Sequence, residues 1–192
     1  MNQYKLYIFD MGGVVTTSAF IEQQMSEVLH ISIEDFHKFS DDILAKLSDG
    51  LISTKEFWEE FSRRSGVEVK TDWWHWLFHP IGNEKTFEII RKLRDAGKRV
   101  VCGTNTIDSH YRNHCERGDY AVFDQTYSSF LMGVSKPDVE FWKIILTAEN
   151  VKPEEAVFID DRIENCNAAA SIGIHAINFT DAQSLAKALG ME

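Results

Sequence analysis

The sequence predicts an α/β protein in which a core of parallel strands and helices carries an all-helical insertion. From about residue 82 onward, patterns typical of buried strands alternate with helical patterns, and one more strand pattern lies near the N-terminus. The stretch between these two parts contains helix signals and no convincing strand. We therefore expect a core of residues 1–15 and 82–192 and a helical cap of residues 16–81.

The predicted strands share short runs of branched or aromatic residues that stop at glycine or at polar residues. They cover residues 4–9, 99–103, 121–127, 156–160 and 174–178. Helices between the strands make the strands parallel, with crossover helices on both faces of the sheet. Ligands of such sheets bind beyond the carboxyl ends of the strands, so we expect the functional site at that edge.

Helix signals lie between the predicted strands. Phe87, Ile90 and Leu93 recur at helical spacing, and Gly97 supplies a stop after them. Pro137 is expected to begin the next helix, because proline suits the first helical position. The last two predicted helices cover residues 162–171 and 181–189.

The insertion has two helix starts in which a serine is followed three residues later by an acidic residue, Ser32 with Asp35 and Ser53 with Glu56. It is also crowded with aromatic residues, which favours a cap with a small core of its own. These residues are Phe20, Phe36, Phe39, Phe57, Trp58, Phe61, Trp73, Trp74, Trp76 and Phe78.

Composition and charge restrict the class of ligand. The chain has 192 residues, of which 44% are hydrophobic and 26% charged, and a formal net charge of −10 at pH 7. That charge argues against nucleic-acid and anionic-membrane partners, since both require a basic surface. A small phosphorylated molecule remains compatible, because a bound divalent cation reverses the charge locally.

No apolar run approaches the roughly 18 residues that a membrane span requires, and the N-terminal MNQYKLYIFD lacks the features of a signal peptide. The three cysteines, Cys102, Cys115 and Cys166, are odd in number and have no C-x-x-C spacing. We therefore expect a cytoplasmic protein with reduced thiols that act as small apolar fillers. A monomer and a homodimer are both compatible with the sequence.

Polar residues stand at or just past the ends of the predicted strands. They are Asp10, Thr104 with Asn105, Lys136, and Asp160 with Asp161. Because parallel strands end at one edge of a sheet, three carboxylates and one ammonium would share a single crevice. Carboxylates packed so closely repel one another unless a hard divalent cation with oxygen ligands lies between them. The arrangement predicts a Mg²⁺ site.

The order of these motifs resembles the four motifs of the haloacid dehalogenase superfamily. They read D-x-G-G-V from Asp10, T-N at residues 104–105, K-P at residues 136–137 and D-D at residues 160–161. The phosphatase branch of that family, which includes small sugar-phosphate phosphatases, is the most similar part of it. The resemblance implies a Rossmann-like core, and it extends to the insertion only as a helical cap placed after the first motif.

The resemblance implies a role for each motif residue. Asp10 would attack phosphorus and form an aspartyl-phosphate, which water then hydrolyses. The Asp10 and Asp161 carboxylates and the backbone carbonyl of Gly12 would ligate Mg²⁺, with Asp160 as an outer-shell partner, although the two adjacent aspartates could exchange roles. The substrate would be a small phosphorylated metabolite, for which a sugar phosphate is one candidate.

Three residues would act on the phosphoryl group. By the same resemblance, Thr104 and Asn105 would hold its oxygens. Lys136 would neutralise charge on the nucleophile and on the transferring group. Taken singly, Thr104 and Asn105 also fit a loop cap, and Lys136 also fits a solvated position at the start of a helix.

One position departs from the family pattern. Most of these phosphatases carry a second aspartate two residues after the nucleophile, as general acid for the leaving group and base for the water, and this chain has Gly12 there. Loss of a general acid or base typically costs on the order of 10²–10⁴ in rate. The alternatives are a slow enzyme, a preference for good leaving groups such as acyl phosphates, recruitment of another group, and loss of activity.

Other functions stay open at this point. In a hydrolytic 2-haloacid dehalogenase Asp10 would attack carbon without a metal, and the Asp160-Asp161 pair argues against it. A phosphomutase depends on the acid/base group that Gly12 lacks. A catalytically weakened phosphate-binding or regulatory protein would keep the metal and phosphate sites with little turnover.

His110 and His114 lie four residues apart, a spacing that superficially suggests zinc. No fourth ligand or catalytic glutamate accompanies them, so we expect both on a helix surface.

Trp73, Trp74 and Trp76 cannot all face inward on one helix, so we expect one of them to line the substrate entrance.

Overall fold

A computed structural model describes residues 4–17 and 21–191 of the chain. Residues 1–3, 18–20 and 192, which include the predicted cap aromatic Phe20, lie outside the described residues.

A five-stranded parallel sheet forms the centre of the molecule, with the strand order β3-β2-β1-β4-β5. Its strands are β1 (Leu6–Phe9), β2 (Arg99–Thr104), β3 (Gln125–Ser128), β4 (Ala156–Asp160) and β5 (His175–Asn178). The strands alternate with helices along the chain, as parallel strands require. The predicted fold class is confirmed.

Ten α-helices lie within the described residues, and two short 3₁₀ turns accompany them at Asp119–Val122 and Pro153–Glu155. The helices are α1 (Glu22–Leu29), α2 (Ile33–Ser48), α3 (Thr54–Ser65), α4 (Trp73–Trp76), α5 (Glu84–Asp95), α6 (Asp108–Arg117), α7 (Ser129–Met132), α8 (Val139–Glu149), α9 (Ile163–Ser171) and α10 (Ala182–Ala188).

Hydrophobic layers cover both faces of the sheet. In β1, Leu6 and Ile8 belong to a layer built with α8 and α9, whereas Tyr7 and Phe9 belong to a layer built with α5 and α10. All four side chains are buried, which explains why β1 is apolar throughout instead of alternating. Each such burial stabilises the fold by about 1.5–3 kcal/mol, so β1 is a rigid platform for the residue that follows it.

The segment from α1 to α4 has an aromatic core of its own, centred on Phe57, Phe61 and Trp74. Both predicted helix starts are confirmed. Ser53 caps α3 in a reciprocal capping box with Glu56, and the Ser32 hydroxyl accepts a hydrogen bond from a backbone N–H in the first turn of α2.

The chain leaves the sheet for the helical segment and returns to it at neighbouring positions. Thr16 and Gly82 form an antiparallel bridge. The Thr17 N–H donates to the Ile81 carbonyl at 2.7 Å, and the Ile81 N–H donates to the Thr17 hydroxyl at 2.9 Å. This paired crossing lies at the predicted domain boundary, although the division into core and cap itself stays a prediction.

The predicted strand over residues 121–127 is wrong in its first half. Residues Asp119–Val122 form a 3₁₀ turn, and the strand begins only at Gln125. The Val100 N–H of the neighbouring strand donates to the Asp124 carboxylate at 2.9 Å instead of to a backbone carbonyl, so backbone pairing with β2 begins only at the Asp124 N–H, which donates to the Val100 carbonyl at 2.8 Å.

The predicted helix start at Pro137 is also wrong. Asp138 is the N-cap, its carboxylate accepts the Glu140 N–H, and α8 begins at Val139. An aspartate that follows the proline takes the capping position, because its oxygen satisfies a free N–H of the first turn.

The cysteines are all free thiols. Cys102 and Cys166 are buried, as predicted for apolar fillers, but Cys115 is exposed on α6, so that prediction is wrong for Cys115. Among the described residues, no helix combines the length and the apolar character needed to cross a membrane.

Candidate active site

The carboxyl ends of the three central strands bring the predicted residues together. Asp10 directly follows β1, Thr104 ends β2 and Asp160 ends β4. Since β1 pairs with both β2 and β4 in parallel register, these three positions lie side by side at one edge of the sheet.

Lys136 reaches this edge from the loop between α7 and α8. Its ammonium is buried and donates hydrogen bonds to Asp10 Oδ1 at 2.7 Å and to Asp160 Oδ2 at 2.8 Å. A third bond, to the Gly103 carbonyl at 3.0 Å, uses the remaining N–H. With all three donors engaged, the ammonium has one fixed position beside Asp10.

The electrostatics of this group follow from burial and from charge pairing. Burial raises the pKa of Asp10 to about 6; Lys136 opposes this shift, and the Asp160 charge adds to it. Burial alone would lower the pKa of Lys136, but the carboxylates of Asp10 and Asp160 outweigh it and raise that pKa. The lysine therefore stays charged, and it is the cation that keeps a buried pair of carboxylates tolerable.

A third carboxylate completes the group. Asp10, Asp160 and Asp161 each offer an oxygen, and these oxygens lie within 4.8 Å of one another. Burial, followed by the Asp160 charge, raises the pKa of Asp161. The carboxylates of Asp10 and Asp160 are buried and both contact Lys136, whereas Asp161 is exposed. Because three carboxylates are accompanied by one lysine, negative charge remains at the mouth of the site. This set of hard oxygen donors suits a divalent cation such as Mg²⁺.

Gly13 is required for the close approach of the first and last loops of this site. A Cβ at Gly13 would lie 2.2 Å from Asp161 Oδ2, and the backbone has φ +82°, where side chains other than glycine are strained. At Gly12, by contrast, an added Cβ would meet nothing within 4 Å. The position that departs from the family pattern is therefore open in space.

Two asparagines that the sequence analysis missed support the acidic pair. Asn165 Nδ2 donates to both oxygens of Asp160, at 3.0 and 3.1 Å. Asn178 Nδ2 donates to the backbone carbonyls of Asp160 and Asp161, at 3.2 and 3.0 Å. Asn178 is a polar residue at the end of β5, so it could have been predicted in the same way as the other polar residues at strand ends. Asn165 lies inside a helix, where no sequence pattern marked it.

Thr104 and Asn105 reach the site in different ways. Thr104 is buried at the end of β2, and its hydroxyl donates to the Asn105 carbonyl at 3.4 Å. The Asn105 side chain is occupied by the backbone of Lys136, which it contacts at 2.8 Å through both its oxygen and its nitrogen. The structure thus places Asn105 against Lys136, and Thr104 directly after Gly103, whose carbonyl accepts from Lys136. The predicted phosphate contacts of Thr104 and Asn105 stay predictions.

The helical segment touches the loop that carries Lys136. The Ser135 hydroxyl donates to the carboxylate of Asp49, which follows α2. Gly50 lies against α7, where an added Cβ would be 2.0 Å from the Phe130 carbonyl oxygen. The turn after α2 therefore packs against α7 and the loop that carries Lys136.

The prediction that His110 and His114 lie on a helix surface is wrong for His114, which is buried, and His110 is half-buried. His110 stacks on Phe78 with ring centres 3.8 Å apart, and His114 is 3% exposed. The chain after α4 covers that face of α6, and burial lowers the pKa of His110 to about 3.

Trp74 is buried in the core of the helical segment and Trp76 is 64% exposed, while the prediction that a tryptophan lines the entrance stays a prediction.

The fold and this acidic, lysine-bridged edge define a class of hydrolase. The chain belongs to the haloacid dehalogenase-like hydrolases, whose family model matches residues 4–173.

Comparisons with individual proteins agree with this assignment. A sesquiterpene phosphatase of Aspergillus oryzae is 27% identical over 199 residues, which cover 93% of this chain and 91% of the relative. A D-ribitol-5-phosphate phosphatase of Bacteroides thetaiotaomicron is 22% identical over 187 residues, 88% of each protein. A crystal structure of a family enzyme from the same bacterium, in complex with magnesium and inorganic phosphate, is 26% identical, with a TM-score of 0.79 over 95% of this chain and 98% of that chain.

Proposed function

We propose that this hydrolase is a magnesium-dependent phosphatase of a small phosphorylated metabolite, and that it acts through a phosphoryl group carried by Asp10. One observation carries the proposal: the Lys136 ammonium bridges Asp10 and Asp160, and an oxygen of Asp161 lies within 4.8 Å of oxygens of both. Transfer of an anionic group to Asp10 requires a nucleophile held in place and positive charge beside it. Lys136 provides both, and the exposed Asp161 carboxylate provides a position for a metal ion.

The relatives support the proposed substrate class. The A. oryzae relative is a phosphatase, and the B. thetaiotaomicron relative is a phosphatase of a phosphorylated sugar alcohol. The related structure with magnesium and inorganic phosphate supports a site that holds both. We propose a sugar phosphate or a similarly small phosphorylated compound as the substrate.

In the proposed mechanism, an oxygen of Asp10 attacks phosphorus, the bond from phosphorus to the substrate oxygen breaks, and an aspartyl-phosphate forms. Lys136 holds Asp10 in place and offsets the charge that develops on the transferring group. Magnesium, held by the carboxylates of Asp10 and Asp161 and the carbonyl of Gly12, would supply further positive charge for the phosphoryl oxygens. Water then attacks phosphorus, which releases inorganic phosphate and frees Asp10.

The other residues position these groups. Thr104 and the backbone at the end of β2 would bind phosphoryl oxygens. Asp160, fully buried and held by Asn165, fixes the second side of Lys136. Because Gly12 provides no general acid, we expect the enzyme to turn over sugar phosphates, whose leaving group needs a proton, more slowly than acyl phosphates, whose leaving group departs as a stable anion.

Metal dependence tests the proposal. We expect the purified protein to hydrolyse p-nitrophenyl phosphate and acetyl phosphate in the presence of Mg²⁺, and to lose this activity when a chelator removes the metal. Restoring excess Mg²⁺ should restore the rate. Turnover that is unaffected by the chelator would contradict the proposal.

The same assay decides between the proposed phosphatase and a second candidate, a phosphate-binding protein with little turnover. The specific observation that favours this candidate is the glycine at the general acid position, with no side chain there. Magnesium-dependent binding of inorganic phosphate, measured by calorimetry, with no hydrolysis of either substrate, is its expected signature.

A further inference from the structure

Two reciprocal contacts connect the loop after β2 to the segment that carries Lys136. Asn105 Nδ2 donates to the Lys136 carbonyl at 2.8 Å, and Asn105 Oδ1 accepts the Lys136 N–H at 2.8 Å. Ser129 makes the converse contact with Thr106: its hydroxyl accepts the Thr106 N–H at 3.0 Å and donates to the Thr106 carbonyl at 3.0 Å. In each case one side chain satisfies both backbone groups of a residue on the other segment.

This arrangement matters because Lys136 lies in a loop. It follows α7 and precedes α8, so its backbone groups belong to neither a helix nor a strand. Within the described part of the chain, the partners found for its N–H and C=O are both on Asn105. A long lysine side chain can hold its ammonium in one place only if the backbone that carries it is fixed.

The contacts also limit what the Asn105 side chain can do for a phosphoryl group. Its oxygen is an acceptor and is already engaged, and an acceptor is unsuited to a phosphoryl oxygen in any case. One N–H of its amide is engaged as well. The amide plane is therefore oriented by Lys136, and only the second N–H of Asn105 is left to donate to another group.

We propose that Asn105 is a positioning residue that acts through Lys136, with Ser129 as its buried counterpart on the other segment. The proposal rests on the proposed phosphatase function and changes the role of Asn105 from phosphate ligand to support of the lysine. Ser129 is fully buried, and its two contacts hold the loop that presents Asn105.

A double-mutant cycle on kcat separates these two roles. Asn105→Ala is expected to lower kcat by roughly 10–100-fold with a smaller change in KM, because a displacement of about 1 Å at a catalytic group has effects of that size. In a Lys136→Met background, the same Asn105→Ala change is expected to cost less than about threefold, since the group it supports is gone. An equal cost in both backgrounds would show a direct contact with the substrate and overturn the proposal.

Two further variants sharpen this cycle. The Ser129 hydroxyl binds the backbone of Thr106 and contacts neither Lys136 nor the reacting groups. We expect Ser129→Ala to lower kcat, as Asn105→Ala does. Asn113→Ala is the matched control: it removes another asparagine whose amide donates to a backbone carbonyl, that of His75 at 3.3 Å, outside the site. We expect it to leave kcat within about twofold of the wild type.

An NMR measurement tests the positioning role of Asn105 without any enzyme activity, and therefore independently of the proposed phosphatase function. The ¹⁵Nζ resonance of Lys136 should be observable, because the ammonium is buried and donates three hydrogen bonds. We expect this resonance to shift or broaden in Asn105→Ala and to be unchanged in Asn113→Ala. An unchanged resonance in Asn105→Ala would overturn the positioning role. An inactive wild type with the expected resonance changes would reject the phosphatase and leave the positioning role standing.

Discussion

Asp10→Asn is expected to reduce turnover by roughly 10⁴-fold or more, because an amide cannot act as the nucleophile. The variant should still fold, since the amide oxygen can accept the hydrogen bond that Lys136 donates to Asp10. The measurement is kcat with acetyl phosphate and Mg²⁺, together with the melting temperature.

Asp108→Asn is the matched control for this prediction. The chemical change at Asp108 is the same, but its carboxylate pairs with Arg112 on α6 and not with Lys136. We expect this control to keep nearly full activity. If Asp10→Asn retained more than about 1% of the wild-type rate, another group would have to be the nucleophile.

Gly12→Asp is expected to raise kcat by roughly 10²–10⁴-fold with substrates that have poor leaving groups, such as sugar phosphates. The position accepts a side chain, because an added Cβ would meet no atom within 4 Å. The new carboxyl group would protonate the departing oxygen. With acetyl phosphate, whose leaving group departs as a stable anion, the gain should be much smaller.

Gly12→Asn has nearly the same shape without an ionisable group, so it should give no comparable increase. An equal gain for Asn and Asp would show that proton transfer does not limit the wild-type rate. An equal gain for good and poor leaving groups would show that protonation of the leaving group does not limit it.

The fold class was predictable because strand and helix patterns alternate in a way that few arrangements satisfy. Phe9 ends an apolar run and Asp10 follows it, and the same pattern recurs at Ile159 and Asp160. In a parallel sheet, residues that follow such runs must share one edge. The sequence therefore located the carboxylates of the site without any knowledge of distances.

Contacts between side chains and distant backbone were not predictable in this way. Asn105 and Lys136 lie far apart in sequence, and nothing in the chain around Asn105 indicates that its amide would bind another loop. Asn165 lies near Asp160 in sequence, but its contact with both oxygens of the Asp160 side chain depends on how α9 follows β4, which the residue pattern does not indicate. Such contacts depend on tertiary geometry.

Two incorrect predictions have identifiable physical causes. Pro137 suggested a helix start, but the following aspartate is the better cap. His110 lies on a helix with few apolar residues, and its ring is covered by Phe78, which follows α4 and is distant from His110 in sequence. Sequence periodicity describes one element at a time, so it does not report which neighbour covers a given face.

Trapping the phosphoryl group on the enzyme tests the central claim most directly. Wild-type protein with Mg²⁺ and acetyl phosphate would be quenched in acid during turnover, digested, and analysed by mass spectrometry. The account predicts a phosphoryl group on the peptide that contains Asp10, and its absence from Asp10→Asn. A phosphoryl group on a different residue, or turnover without any phosphorylated peptide, would contradict it.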